Sequence, residues 1–363
     1  MTLHLYLARR FLLTFLAIFS VFVILLFLID IVKEMQDFPA FPFSEILEIA
    51  LLKAPSANYE ILPLIVILAT VALFLRMSRN SELVVVRASG RSAIRALVAP
   101  LVVAGLIGVV SVTMLNPIVA ASAKRHNDLM NSYLGWSINI MAIAPEGLWL
   151  RQGSETGQTV IHAERASSDV STLYNTTFIA FGLDGTPQRR ITAASATLGD
   201  GEWRLADAKL WDLSSGINPE STAQELDSYS VPSALTQDRI IDSFGKPEYI
   251  SIWDLPKFIG QLEESGFSAR RYAVWMQTEL ARPLFLIALV MAAAAFTMRH
   301  SRLHNTGVSV LTAIMLGFGL HYIRNFAQIL GENGQIPIML AAWAPPVAAF
   351  LLALGILLHM EEG

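Results

Sequence analysis

The sequence predicts an α-helical membrane protein of six transmembrane helices, three on either side of an inserted all-β domain. Three observations carry this. The 363 residues are 54% hydrophobic and only 15% charged, with a mean hydropathy of +0.51, more apolar matter than a water-soluble core can hide. The apolar matter falls into runs long enough to cross a bilayer at both ends of the chain. Between roughly residues 116 and 266 the runs give way to two-residue alternation punctuated by turn sequences. There are no cysteines, so disulfides and thiolate metal sites are excluded, and the net charge of −4 carries no nucleic-acid signature.

The first span is Phe11–Ile29 behind Arg9 and Arg10; at about 1.5 Å per residue such a run crosses ~30 Å of hydrocarbon. It ends in Asp30, Lys33, Glu34 and Asp37 with no small-residue cleavage site, so it is read as a retained span. Ile61–Leu75 extends backward through Ile46–Leu52 as one long helix that Pro55 and Pro63 bend. Ala96–Leu115 is the third span, with Pro100 near its start, where a helix tolerates proline best. In the β domain, "TLYNTTFIAF", "RRITAASATL" and "EWRLADAKLWDL" read as strands, with Asp184-Gly185 and Asp200-Gly201 as hairpin turns. "SIWDLPKFIGQLEESG" reads as a short amphipathic helix capped by Gly266. Leu280–Met298, Val308–Ile323 and Ile338–Leu358 are the last three spans.

Short loops rich in Lys and Arg stay cytoplasmic. Arg9/Arg10, the arginines from Arg76 to Arg95 and "RHSRLH" at 299–304 fall on one side when every span is counted, while loops 33–57 and 329–337 carry little positive charge. Both termini are therefore expected inside and the β domain outside, which in a Gram-negative inner membrane is the periplasm. Within the arginine-rich loop, Ser81 is expected to cap a two-turn helix beginning at Glu82, where a carboxylate meets the positive end of the dipole, and Gly90 to end it. A helix this short needs something to pack on. Leu83, Val84 and Val86 could pack on the chain's own helix ends with Arg87 and its neighbours at lipid headgroups, or the segment could insert into a soluble partner, Glu82 giving the charge contact.

Order of spans, outer β domain and "NSELVVVRASG" together resemble the LptF/LptG family of lipopolysaccharide-export permeases. So do "EGLWLRQG", "SGFSARRYAVWMQTELARP", "LGENGQIPIMLAAWAPP" and the ending "LLHMEEG". Of the two branches, the Gly-Gln-Ile-Pro…Ala-Trp-Ala-Pro segment and the acidic C-terminus are more like LptG. The resemblance implies a division into a first transmembrane half (1–118, coupling helix about 81–90), a periplasmic β-jellyroll (119–267) and a second transmembrane half (268–363). It also implies an LptF-like permease as heterodimer partner, an LptB-like ATPase dimer, and LptC-like and LptA-like periplasmic proteins that receive lipopolysaccharide. The lipid would leave the inner membrane through a cavity lined chiefly by the first and fifth spans. Glu82 matches the glutamate of the family's coupling helix.

No G-x-x-x-x-G-K-[ST] phosphate loop occurs, so this chain is expected to be a non-catalytic subunit without cofactor, driven by a partner's ATP hydrolysis. Candidate lipid contacts are Lys33, in doubt because it stands among Asp30, Glu34 and Asp37, and Arg324, whose guanidinium suits phosphate oxygens but could equally be an interfacial anchor beside Tyr322. His321 has no second ligand at i+4 and is expected to be a satisfied or cavity-facing residue, not a metal ligand. Arg271-Tyr272 match a family pair expected to be structural. Gly317-Phe318-Gly319 could permit close helix contact, and Asn175-Thr176-Thr177 fits a glycosylation pattern of little specificity. Two other function classes stay open: a non-transporting signalling or structural subunit driven by an ATPase, and an envelope-lipid enzyme, for which no acid, base or nucleophile cluster stands out.

Overall fold

The structure is a computed structural model. It describes residues 2–82, 88, 92–133, 142–144, 147–154, 157–167, 171–199, 201–214, 218–233, 235–236, 240, 245–264, 267–298 and 306–362. The chain divides into two compact units, a helical one (Met1–His126, Glu248–Trp253 and Arg270–Gly363) and a second comprising Asn127–Pro247 and Asp254–Ala269.

In the helical unit, α1 (Thr2–Asp37) and α2 (Phe43–Arg79) run well beyond their apolar cores, and Pro55 and Pro63 both lie inside the single helix α2, as expected. The third span is α3 (Ala93–Val110), started by the Ser92 hydroxyl, which accepts from the Arg95 N–H. It passes through a π-helical turn, Ser111–Leu115, into α4 (Asn116–Tyr133). The expected end at Leu115 is thus overrun: once a helix is nucleated, propagation costs little, and α4 is an amphipathic continuation that no longer needs lipid. The fourth span is two helices, α6 (Arg270–Leu280) and α7 (Arg282–Thr297), which meet at 48°. The bend follows from Pro283, which has no N–H to give the Glu279 carbonyl one turn back. α8 (Thr306–Glu332) and α9 (Ile338–Glu362) complete the unit. By length and composition five helices could cross a membrane, or six if the bent pair is one span.

The innermost helix is α7. From Ala288 to Ala295 every residue is buried, packed against α2, α3, α8 and α9. Its alanines allow the close approach that helices in lipid use in place of a hydrophobic driving force. Glycines on its neighbours do the same: a Cβ on Gly108 would stand 2.5 Å from the Pro283 Cα, and one on Gly317 would collide with Ile67. Gly319 faces open space, so only the first glycine of the 317–319 pair makes a close helix contact.

The second unit is one antiparallel sheet, ordered β1 to β7 in chain order: β1 (Ala142–Ala144), β2 (Gly147–Ser154), β3 (Gly157–Ala166), β4 (Thr172–Phe181), β5 (Pro187–Gly199), β6 (Glu202–Asp212) and β7 (Gln224–Pro232). One row of directly opposed residues, Leu150, Ile161, Phe178 and Ile191, is buried from β2 to β5, the alternation that puts one face of each strand inward. The Gln152 amide nitrogen, Nε2, donates to the Pro232 carbonyl at 3.0 Å and its Oε1 accepts from Ser233 Oγ at 2.9 Å, so the sheet rolls until the β2 end meets the β7 end. The expected jellyroll is therefore corrected: the described residues form a rolled up-and-down meander without Greek-key crossovers, because each strand pairs with the one that follows it in the chain. Gly185 and Gly201, at φ 79° and 81°, supply two of those turns. Asn175, at φ 51°, lies within β4 with its amide bonded to Glu164 at 2.8 Å. The amphipathic segment forms α5 (Leu255–Glu264); its expected cap, Gly266, lies outside the described residues.

Replacing Gly108 by alanine forces backbone of α3 and α7 apart and is expected to cost about 1–3 kcal/mol, read as a lower Tm of the detergent-solubilised protein. Gly319→Ala, which meets nothing within 4 Å, is expected to leave Tm unchanged or slightly raised.

Candidate functional site

Among the described residues of the helical unit, polar side chains from segments distant in sequence meet in several places. The first surrounds Glu82, just past the end of α2. Arg10 of α1 forms an ion pair with its carboxylate, Tyr6 Oη donates to it at 3.2 Å, and Asn80 Nδ2 donates at 3.2 Å. Tyr6 and Arg10 are one helical turn apart, so they share a face of α1, and the guanidinium lies 5.3 Å from the tyrosine ring centroid. Partial burial would raise the Glu82 carboxyl, but the hydrogen bonds from Arg10 and Asn80, with the Arg10 charge and the Tyr6 hydroxyl, outweigh it and hold it below the usual carboxylate range. Its folded value is the depressed one, so the contact is in force at neutral pH and is lost only as the pH falls through that value. Ser81 is at φ 58°, left-handed and not the extended backbone of an N-cap. Leu83, Val84, Arg87 and Gly90 lie outside the described residues, as does "RHSRLH".

At the far end of α1, Asp30 and Glu34 are buried and face α2, where Lys53 reaches both, at 3.3 and 2.8 Å. Lys33 is exposed, about a quarter-turn round the helix from them. Two of the three acids around Lys33, Asp30 and Glu34, thus share a cation of their own. Sequence order hid this arrangement, although Lys53, a lone cation in the apolar first half of α2, was a signal that an acid must stand opposite.

The third grouping is built at the α6–α7 bend. Arg282 Nη2 pairs with Glu279 Oε1 at 2.5 Å, its Nη1 donates to the Tyr59 carbonyl at 3.3 Å, and its guanidinium stacks 3.9 Å from the Tyr59 ring centroid. Tyr59 Oη in turn donates to the other Glu279 oxygen. Both charged residues are buried, and one carboxylate satisfied on both oxygens is what makes burial of such a pair tolerable. Arg324, 5% exposed, lies 5.2 Å over the Phe285 ring, and its Nε has no hydrogen-bond partner. It stands eight residues before the end of α8 at Glu332, because this helix runs past the span end expected at Ile323. Tyr322, by contrast, is 67% exposed, and His321 is half-buried with its Nε2 3.2 Å from the Asn325 amide. Of the four candidate lipid contacts, Lys33 and Tyr322 therefore face outward and Arg324 faces inward. Arg270, next to the pair singled out in the sequence, donates to the carbonyls of Gly331 (2.6 Å) and Ile336, fastening the α8–α9 turn, while Tyr272 is buried. Among the described residues no group of three or more His, Asp or Glu could hold a metal ion.

The uncovered surface is as informative as the polar groupings. In its most apolar stretch α1 has 6% of residues buried, and α8 has 17%, against 61% for α2. Their exposed side chains, among them Val21, Ile24, Leu28, Leu311, Met315 and Phe326, are large and apolar. These are the first and fifth spans.

The sequence pattern of the lipopolysaccharide export system permease LptF/LptG matches residues 5–359. The chain belongs to the LptF/LptG family. It is similar to the lipopolysaccharide export system permease protein LptG of Escherichia coli strain K12 and of strain O6:H1, at 27% identity to each over 316 residues, 85% of this chain and 84% of theirs. Membership in a family of lipopolysaccharide export permeases is in keeping with the apolar helices of membrane-spanning length.

Removing one partner of the Glu279–Arg282 pair, as in Glu279→Gln or Arg282→Met, is expected to cost about 3–5 kcal/mol because the other charge is left buried. Thermal unfolding in detergent checks this. The double variant Glu279→Leu/Arg282→Leu is expected to lose less than the sum of the two single losses.

Proposed function

We propose that this chain is the LptG-like half of an inner-membrane lipopolysaccharide exporter. A second, LptF-like permease completes a lipid-holding chamber with it, a separate LptB-like ATPase dimer drives it, and LptC-like and LptA-like proteins receive the lipid. The observation that carries this reading is the family match from residue 5 to 359. Both termini and the arginine-rich segment 76–95 lie in the cytoplasm, in keeping with the distribution of Lys and Arg among the short loops, and the sheet lies in the periplasm.

In this reading the ATPase engages residues 81–90, with Ser81, Leu83, Val84, Arg87 and Gly90 shaping the contact and Glu82 giving it charge. The lipid lies against α1 and α8. These two helices have the smallest buried share in their apolar stretches among the single-helix spans, which leaves both free to border such a chamber. Lys33 and Tyr322 are the headgroup contacts. Arg324, being buried, orders α7 and α8 behind them together with His321.

Two outcomes follow. Glu82→Arg reverses the charge at the ATPase contact and is expected to reduce recovery of the ATPase in a detergent pull-down about tenfold or more, with the permease still inserted; undiminished recovery would refute the coupling role. Lys33→Glu is expected to lower the lipopolysaccharide that co-purifies with the permease pair, and by less at high ionic strength, where screening already weakens the contact.

A further inference from the structure

Glu82 has a second set of partners that the coupling role leaves unexplained. A residue that serves only a soluble partner needs no anchor within its own chain, yet this carboxylate takes a guanidinium and a phenol from α1. The anchor is local. Near its N-terminal end α1 is held to the rest of the unit by Leu7, Phe11 and Phe15, all buried. Few residues of its long apolar stretch beyond them are fully buried, and its far end is tied to α2 through Lys53. Helix α1 is therefore tied by charge near its two ends, while between them it packs on the core along one face only, through the half-buried Ile18, Phe19 and Phe22. The Arg10–Glu82 contact is the grip nearest the arginine-rich segment.

We propose that Tyr6 and Arg10 are positioning residues that clamp the Glu82 segment to the first span, so that displacement of that segment by the ATPase is delivered to α1. The proposal rests on the coupling role of Glu82 given above and adds the route by which motion enters the membrane. A carboxylate offers about four acceptor positions, so Glu82 can keep Arg10 while it meets a cation of the partner. Arg10 is 17% exposed and Glu82 28% in their side chains, leaving the pair shielded enough to hold but open on one side. The Tyr6 ring against the guanidinium fixes the direction in which Arg10 reaches.

The test uses the complete permease–ATPase complex in proteoliposomes. Spin labels at Gln36→Cys, on the far end of α1, and Gln335→Cys, in the α8–α9 turn, report movement of α1 when nucleotide is bound. With Arg10→Gln, and with Arg10→Glu, the ATPase is expected to remain bound and to hydrolyse ATP, while the nucleotide-driven change in label distance is lost and lipid delivery falls about tenfold. Arg10→Lys, which keeps the charge, is expected to restore most of both. Tyr6→Phe, which keeps the ring and loses the hydroxyl, is expected to have a smaller effect than Arg10→Gln. Unchanged label movement in Arg10→Gln would overturn the proposal. So would loss of the ATPase itself in that variant, since Arg10 would then serve binding and not transmission. Glu82→Arg is scored by ATPase recovery and Arg10→Gln by label movement with the ATPase bound, so failure of the coupling role and failure of the clamp give different results.

Discussion

Hydrocarbon offers no hydrogen bonds, and most of this chain's architecture answers that constraint. Every backbone amide at membrane depth must be satisfied within its own helix, which is why the apolar segments are helical throughout and why their interruptions fall where protein surrounds them. The sharpest, between α6 and α7, is closed by side chains: Arg282 reaches the Tyr59 carbonyl and the Glu279 carboxylate in the same place where Pro283 has removed a backbone donor. A bend in a central helix is thereby bound to α2, and the packing of α7 against its neighbours follows.

The same constraint sorts charge. Cations and acids on the spans turn inward and find partners, as Lys53 does for Asp30 and Glu34, or stay at the ends, as Lys33 does. Apolar side chains take the outside. On α1 and α8 they do so over most of the apolar stretch, so that few residues there are fully buried. The proposed function makes use of this: a lipid or a second permease would sit on the surface that the chain's own packing leaves open.

Much of this could be read from residues alone, and the pattern of success is physical. Span number, the position of the sheet, strands such as "TLYNTTFIAF" and the prolines inside α2 follow from local hydropathy and turn chemistry, which act over a few residues. Helix ends did not follow, because α4 and the last turns of α8 continue on amphipathic sequence after the apolar run has finished, which puts Arg324 inside α8 and not at its end. Pairings between distant residues were also hidden. Nothing in "LYLARR" announces that Arg10 would meet Glu82, or in "TELARP" that Glu279 would find Tyr59, since both contacts exist only after helices are assembled. Ser81 shows the converse, a residue suited to a cap whose backbone adopts φ 58° instead.

The account as a whole depends on the Glu82 segment and the sheet lying on opposite sides of one membrane. With no native cysteine in the chain, single cysteines placed at Arg79 and at Leu183, an 84% exposed position in the β4–β5 turn, can be labelled with a membrane-impermeant maleimide in right-side-out inner-membrane vesicles. The account predicts labelling at 183 in intact vesicles and at 79 only after they are opened. Labelling of both positions in intact vesicles would contradict it.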